Sequence, residues 1–186
     1  MWIYEKKLQY PVNIRRPDLH MAKLLFAQYG GPDSELSAGI RYLSQRYTMP
    51  DDRAKAVLTD IGTEELAHWE MIAAMIYQLT LGATVSAIKE AGFGPFYVEH
   101  GIAVYPSDAA GVPWMAAYVQ STDDPVANLT EDMAAEEKAR TVYEHLLDLS
   151  NDNEVAKPLS FLRQREIVHF QRFGETLDIV NNLVRQ

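Results

Sequence analysis

No cysteine occurs in the 186 residues of the chain. Disulfides, thiolate metal sites and cysteine nucleophiles are thereby excluded, and the composition suits synthesis in a reducing cytoplasm. Any metal must be held by oxygen and imidazole nitrogen. No run approaches the length of a membrane span, so no membrane association is expected. The opening MWIYEKKLQYPV lacks the charged-then-apolar layout of a secretory signal. Basic residues are the minority, 17 against 26 acidic ones, for a formal net charge of -9. Nucleic acid is not expected as a partner, because phosphate binding needs clustered Lys and Arg. No segment reads convincingly as a sheet. What remains is the ordinary apolar and charged mixture of a globular chain, long enough for one domain over residues 1–186 with a sizeable core.

Residues 1–18, with Tyr10-Pro11 and Arg16-Pro17, read as an extended arm, since proline and the residue before it resist helix. Asp18 caps a short helix to about Tyr29, which Gly30-Gly31-Pro32 breaks. Asp33 or Ser34 caps the next, which runs to about Thr48. A long helix follows from about Asp51 to Leu81. In the segment 82–125, TVSAIKEAG reads as one short helix ending at Gly92. GFGPFYVEHGIAVYPSDAAGVPW then shows no helical period, and is predicted to be a crossover packed over other elements. Two further helices span about Pro125–Ser150 and Asn153–Val184. The fold class is all-α: four main helices, short links inside each pair and one long crossover between pairs, as in a ferritin-like four-helix bundle.

The apolar stripes of these helices carry misplaced polar residues. On the long second helix the seam is Ile61, Glu65, His68, Ile72, Met75 and Leu79, stepping by four and three. On the last helix it is Leu159, Leu162, Glu166, His169, Phe173, Leu177 and Val180. The chain therefore holds two Glu-x-x-His pairs, each on one helical face. Glu35 lines up with Gly39 and Tyr42. Glu136 lines up with Leu129, Met133, Ala139, Tyr143 and Leu147, whereas Glu137 falls with Thr130, Thr141, Glu144 and Asp148 on a solvent face. Glu35 to Glu65 is 30 residues, and Glu136 to Glu166 is again 30, so a helix pair looks duplicated. That register selects Glu65 over Glu64, leaving Glu64 at the surface or beside the ligands.

A lone carboxylate in an apolar seam costs on the order of several kcal/mol or loses its charge. Four converging carboxylates would repel one another, and two divalent cations turn that repulsion into ligation. A Glu from each of two helices plus a Glu-x-x-His from each of the other two marks a dinuclear carboxylate site. Oxygen and nitrogen donors suit manganese or iron. Arg140, Arg163 and Arg165 either orient ligand carboxylates or are surface charges. His20, His100 and His145 lie off the seams, and Trp2, Tyr4, Tyr10, Tyr97, Tyr105 and Trp114 read as packing or interface residues.

The arm MWIYEKKLQYPV, QYGGPDSELSAGIRYLSQRYTMP, DIGTEELAHWEMI, AAEEKARTVYEHL and FLRQREIVHFQRF together resemble the manganese catalase family, and within it a short, spore-associated branch. The resemblance implies a pair of manganese ions, with iron as the alternative. It implies that Glu35, Glu136, His68 and His169 are terminal ligands and that Glu65 bridges the metals. Glu166 becomes a proton acceptor and donor beside the bridge, and Tyr42 a hydrogen-bonding group next to the ligands. The implied reaction is disproportionation of hydrogen peroxide to water and dioxygen, in a homo-oligomer, a hexamer in the family, among other spore coat proteins. A structural coat protein with a retained metal site, or a diiron oxidase or peroxidase, are the alternatives. The sequence departs from the family in two places. It stops shortly after the last helix, where full-length members continue into an extension that wraps neighbouring subunits. Ala135 stands where some members have an Arg that narrows the entrance, so a more open pocket is expected.

Overall fold

The computed structural model describes residues 4, 5 and 7–184; Trp2 lies outside them. The first helix, α1 (Leu19–Gly30), starts where the Asp18 carboxylate accepts the Met21 N–H at 3.0 Å. Of the two caps proposed for α2 (Glu35–Gln45), Ser34 is the one used, its hydroxyl accepting the Ser37 N–H. The expected end near Thr48 is reached by a short 3-10 turn, Arg46–Thr48. Asp51 caps α3 (Asp52–Thr80) by accepting the Arg53 and Ala54 N–H groups. Asp124 caps α6 (Pro125–Leu149) in the same way, with Pro125 in the first turn, where its missing N–H has no cost. The last helix is α7 (Asn153–Val184).

Between α3 and α6 the crossover holds more helix than its composition suggests. α4 (Val85–Glu90) is the expected short helix, capped by Thr84. A second, α5 (Gly94–His100), lies inside the stretch expected to lack helix. It is too short to display a period, and local signals define it: Pro95 at its start and Gly101 at φ 64° just past its end. A 3-10 turn, Ala116–Val119, follows. Among the described residues there is no strand, only an isolated bridge between Ser107 and Pro113. None of their helices is long and apolar enough to cross a membrane.

The bundle has four columns, with α1 and α2 forming one column broken at residues 31–34 and α3, α6 and α7 the others. Glu35 is the first residue after that break. Gly30 is needed there: a Cβ on it would meet the Ser107 backbone nitrogen at 2.4 Å, so the crossover could not lie against the column. α2 packs on α3 and α6 on α7. The interior is two apolar clusters. One gathers Leu25, Met75, Leu79, Leu159 and Leu162, the other Leu58, Ile61, Leu129, Phe173 and Val180. On α3 and α6 the chain passes from the second cluster to the first, and on α7 from the first to the second. α3 and α6 thus run parallel, which is why the crossover between them must be long. On every column the polar seam residues fall between the two clusters.

Candidate metal centre

Burying this polar layer is a consequence of helical period, since each member sits between apolar seam residues. Glu35, Glu65, His68, Glu136, Glu166 and His169 are all at most 3% exposed. Glu65 stands at the centre. Its Oε2 lies 2.7 Å from His68 Nδ1 and its Oε1 2.6 Å from His169 Nδ1. Donor atoms of Glu35, Glu65, His68 and Glu166 lie within 4.8 Å of one another, and so do those of Glu65, Glu136 and His169. Glu65 alone belongs to both groups.

These donors fit a pair of cations. Glu65 Oε1, Glu136 Oε2, Glu166 Oε1 and His169 Nδ1 are buried with no hydrogen-bond partner. Glu65 Oε1 and His169 Nδ1 are only 2.6 Å apart, yet they lack the alignment of a hydrogen bond. Burying that many unpartnered acceptors is costly unless a cation collects them. The set is oxygen and imidazole nitrogen, as manganese and iron prefer.

Two tyrosines complete the layer. Tyr42 donates its hydroxyl to Glu136 Oε1 at 2.5 Å, and Tyr143 donates to Glu35 Oε1. The sequence places Tyr42 beside the ligands by resemblance and Tyr143 only within the apolar stripe. A signal for it was present, because Tyr143 follows Glu136 by seven residues just as Tyr42 follows Glu35.

Glu64 is not a surface residue. Its Oε2 lies 3.0 Å from His169 Nε2, and its Oε1 3.6 Å from His68 Nε2. Arg165 grips the same carboxylate with Nε at 2.8 Å and Nη2 at 3.1 Å. The carboxylate favours a proton on His169 Nε2 and leaves His169 Nδ1 toward the centre, whereas His68 Nε2 has no hydrogen-bond partner. Arg165 therefore acts through Glu64, whereas Arg140 and Arg163 pair with Glu137 and Glu144 away from the centre. Glu137 remains on the solvent side, as its register implied. His20 and His145 are exposed, and His100 stacks on Tyr105 in the crossover.

The electrostatics follow from crowding. Burial, then repulsion from Glu65, raises Glu35 to about 7. Burial and the charges of Glu35, Glu136 and Glu65 push Glu166 well above the carboxylate range, and burial with Glu65 raises Glu136. For Glu65 burial acts upward too, but the His169 and His68 charges outweigh it and hold its carboxyl low. Both imidazoles are raised well above their ordinary value, Glu65 overriding the downward effect of burial. Without cations, this layer stores protons.

One small cavity, of about 10 Å³, reaches Glu35, Tyr42 and Glu166 between α2 and α6. Ala38, Ala135 and Ala139 leave its walls small, and Arg41 and Asp33 line it as well. Ala135 is one of the residues that border it. Lys138 reaches Asp33 at 2.7 Å from the α6 side.

Comparison with known proteins gives a consistent set. The family model for manganese-containing catalase matches residues 1–184. Protein CotJC of Bacillus subtilis is 54% identical over 180 residues, covering 97% of this chain and 95% of that protein. A probable manganese catalase of Clostridium acetobutylicum is 36% identical, covering 98% of this chain and 82% of that one. Among solved structures, wild-type KatB, a manganese catalase from Anabaena, superposes with a TM-score of 0.90 at 33% identity, over 97% of this chain and 81% of KatB.

Proposed function

The chain belongs to the manganese-containing catalase family, and from that premise we propose that it disproportionates two hydrogen peroxide molecules to two waters and one dioxygen. The observation that carries this reading is the sharing of Glu65 between two donor groups, which is what a bridge between two cations requires. In this reading Glu35 and His68 hold one ion, Glu136 and His169 the other, and Glu65 spans both. Bound there, two manganese ions would supply the two-electron redox capacity the reaction needs, with iron the alternative occupant.

The chain's own groups carry the rest. Glu166 has a buried Oε1 with no partner and borders the cavity. It takes a proton from the entering peroxide and returns it to the oxygen that leaves as water, a role that a raised carboxyl pKa suits. Tyr42 and Tyr143 hold the free oxygens of Glu136 and Glu35, keeping each carboxylate in one orientation. In this reading the side of the cavity walled by Ala38, Ala135 and Ala139 is where peroxide approaches Glu166.

We read residues 1–186 as one domain that works as a homo-oligomer, a hexamer by family resemblance, in the spore coat. Similarity to CotJC over nearly the whole of both chains supports the coat setting. The test is to purify the chain from manganese-supplemented cells, measure metal per chain and follow oxygen evolution. Two manganese with rapid evolution is expected. Two metals with negligible evolution would leave a structural coat protein, and iron with substrate-dependent peroxide consumption would move the chain to the diiron oxidases and peroxidases.

A further inference from the structure

Midway along its length the N-terminal arm touches a neighbour of the metal centre. Gln9 donates through Nε2 to Glu64 Oε1 at 2.5 Å, the same oxygen that Arg165 grips from α7. One residue on, Tyr10 stacks on Phe161 with ring centroids 4.9 Å apart. Phe161 in turn stands edge-on to His68, centroids 6.3 Å apart and planes at 89°. The arm therefore reaches His169 through Glu64 and His68 through Phe161. Its other ties lie elsewhere. The Ile14 N–H and the Val12 carbonyl bond the Gln78 side chain, Arg15 pairs with Glu154, and Arg16 with Asp152.

A glutamate side chain left partly open to water samples several rotamers. Glu64 is 15% exposed at its side chain, so burial does not fix it as it fixes Glu65. Donors from two separate elements do. With Oε1 held by Gln9 and Arg165, Oε2 stays turned to His169 Nε2. We propose that Gln9 and Tyr10 are positioning residues of the metal centre, so that the arm helps keep both ligand imidazoles aimed at the cations. This rests on the metal-centre reading above.

The test measures how fast the metal-loaded chain loses manganese to excess chelator, alongside metal content and thermal midpoint. Gln9→Met removes the donor at similar volume, Gln9→Lys keeps a donor, and Arg15→Ala cuts an arm tie remote from the centre. Tyr10→Leu removes the stack and Tyr10→Phe keeps it. Gln9→Met and Tyr10→Leu should load fully and lose metal faster, by about two- to fivefold, the scale of one modest contact. Gln9→Lys, Tyr10→Phe and Arg15→Ala should match the unaltered chain. Equal rates for Gln9→Met and the unaltered chain overturn the inference alone. So does Arg15→Ala releasing metal as fast as Gln9→Met, since the arm would then act only as a general anchor. An unaltered chain that binds no metal overturns the metal-centre reading itself, and the inference with it.

Discussion

Tyr143 on α6 donates its hydroxyl to Glu35 on α2, and the reverse pairing exists in the other half, where Tyr42 donates to Glu136. Each tyrosine thus secures the candidate ligand of the opposite helix pair. A duplicated unit that kept its own contacts to itself would not need its partner. Here the two halves are interlocked at the centre.

Removing either hydroxyl should therefore have a similar effect. Tyr42→Phe and Tyr143→Phe are expected to keep two metals per chain at saturating manganese, while metal affinity or oxygen evolution falls by about 10- to 100-fold. Metal titration and oxygen-electrode rates measure both. A Tyr143→Phe chain that behaves as wild type would refute the reciprocal arrangement.

The adjacent glutamates should separate cleanly. Glu65→Ala is expected to abolish binding of a metal pair. Glu64→Ala should load at high manganese but with affinity weakened by about 10- to 100-fold, because His169 Nε2 loses its hydrogen-bond partner. Glu137→Ala, on the solvent face, should leave affinity unchanged. Equal losses at Glu64 and Glu65 would contradict the bridging geometry.

Glu166→Gln should keep both metals and lose turnover by about 10²- to 10⁴-fold, the usual worth of a positioned proton-transfer group. Metal content measured beside oxygen evolution separates the two roles. Loss of one metal would instead make Glu166 a ligand.

Acidity should act oppositely on the two forms of the protein. In the metal-free chain Glu35 is raised from 4.5 to about 7, so its folded form binds more protons than its unfolded form. Its contribution is full below about 4.5 and is lost as pH rises through about 7. His68 and His169, also raised, lose theirs as pH climbs further. Glu64 and Glu65 are lowered, so their contribution is present throughout pH 5–8. The thermal midpoint of the metal-free chain should fall from pH 5 to 8, while manganese affinity rises as ligands shed protons. Calorimetry and metal titration at pH 5, 6.5 and 8 test both slopes; a flat pair would count against the buried proton store.

Filling the cavity should slow entry without emptying the site. Ala135→Leu places a larger side chain against the small cavity beside Glu35, Tyr42 and Glu166, and should lower kcat/KM for peroxide at unchanged metal content. Unchanged kcat/KM would mean that peroxide enters by another route.

Much of this was legible in one dimension. Helix positions, Asp18 as a cap, and the choice of Glu65 over Glu64 for the seam all follow from local signals: turn chemistry and a period near 3.6 residues. α5 escaped because seven residues are too few to display a period, and Pro95 and Gly101 read equally well as loop residues. Glu64 escaped in part, since its register takes it off the apolar seam and says nothing of what stands opposite.

The six polar seam residues and their duplication belong to the sequence, because burial of a helix face is encoded along the helix itself. Which nitrogen of each imidazole faces the centre, which tyrosine holds which carboxylate, and that Gln9 of the arm joins Arg165 on Glu64 were decided only by the tertiary structure. Those contacts join residues as far as 108 positions apart. Such pairs are chosen by how helices and arm pack, and no local pattern specifies that.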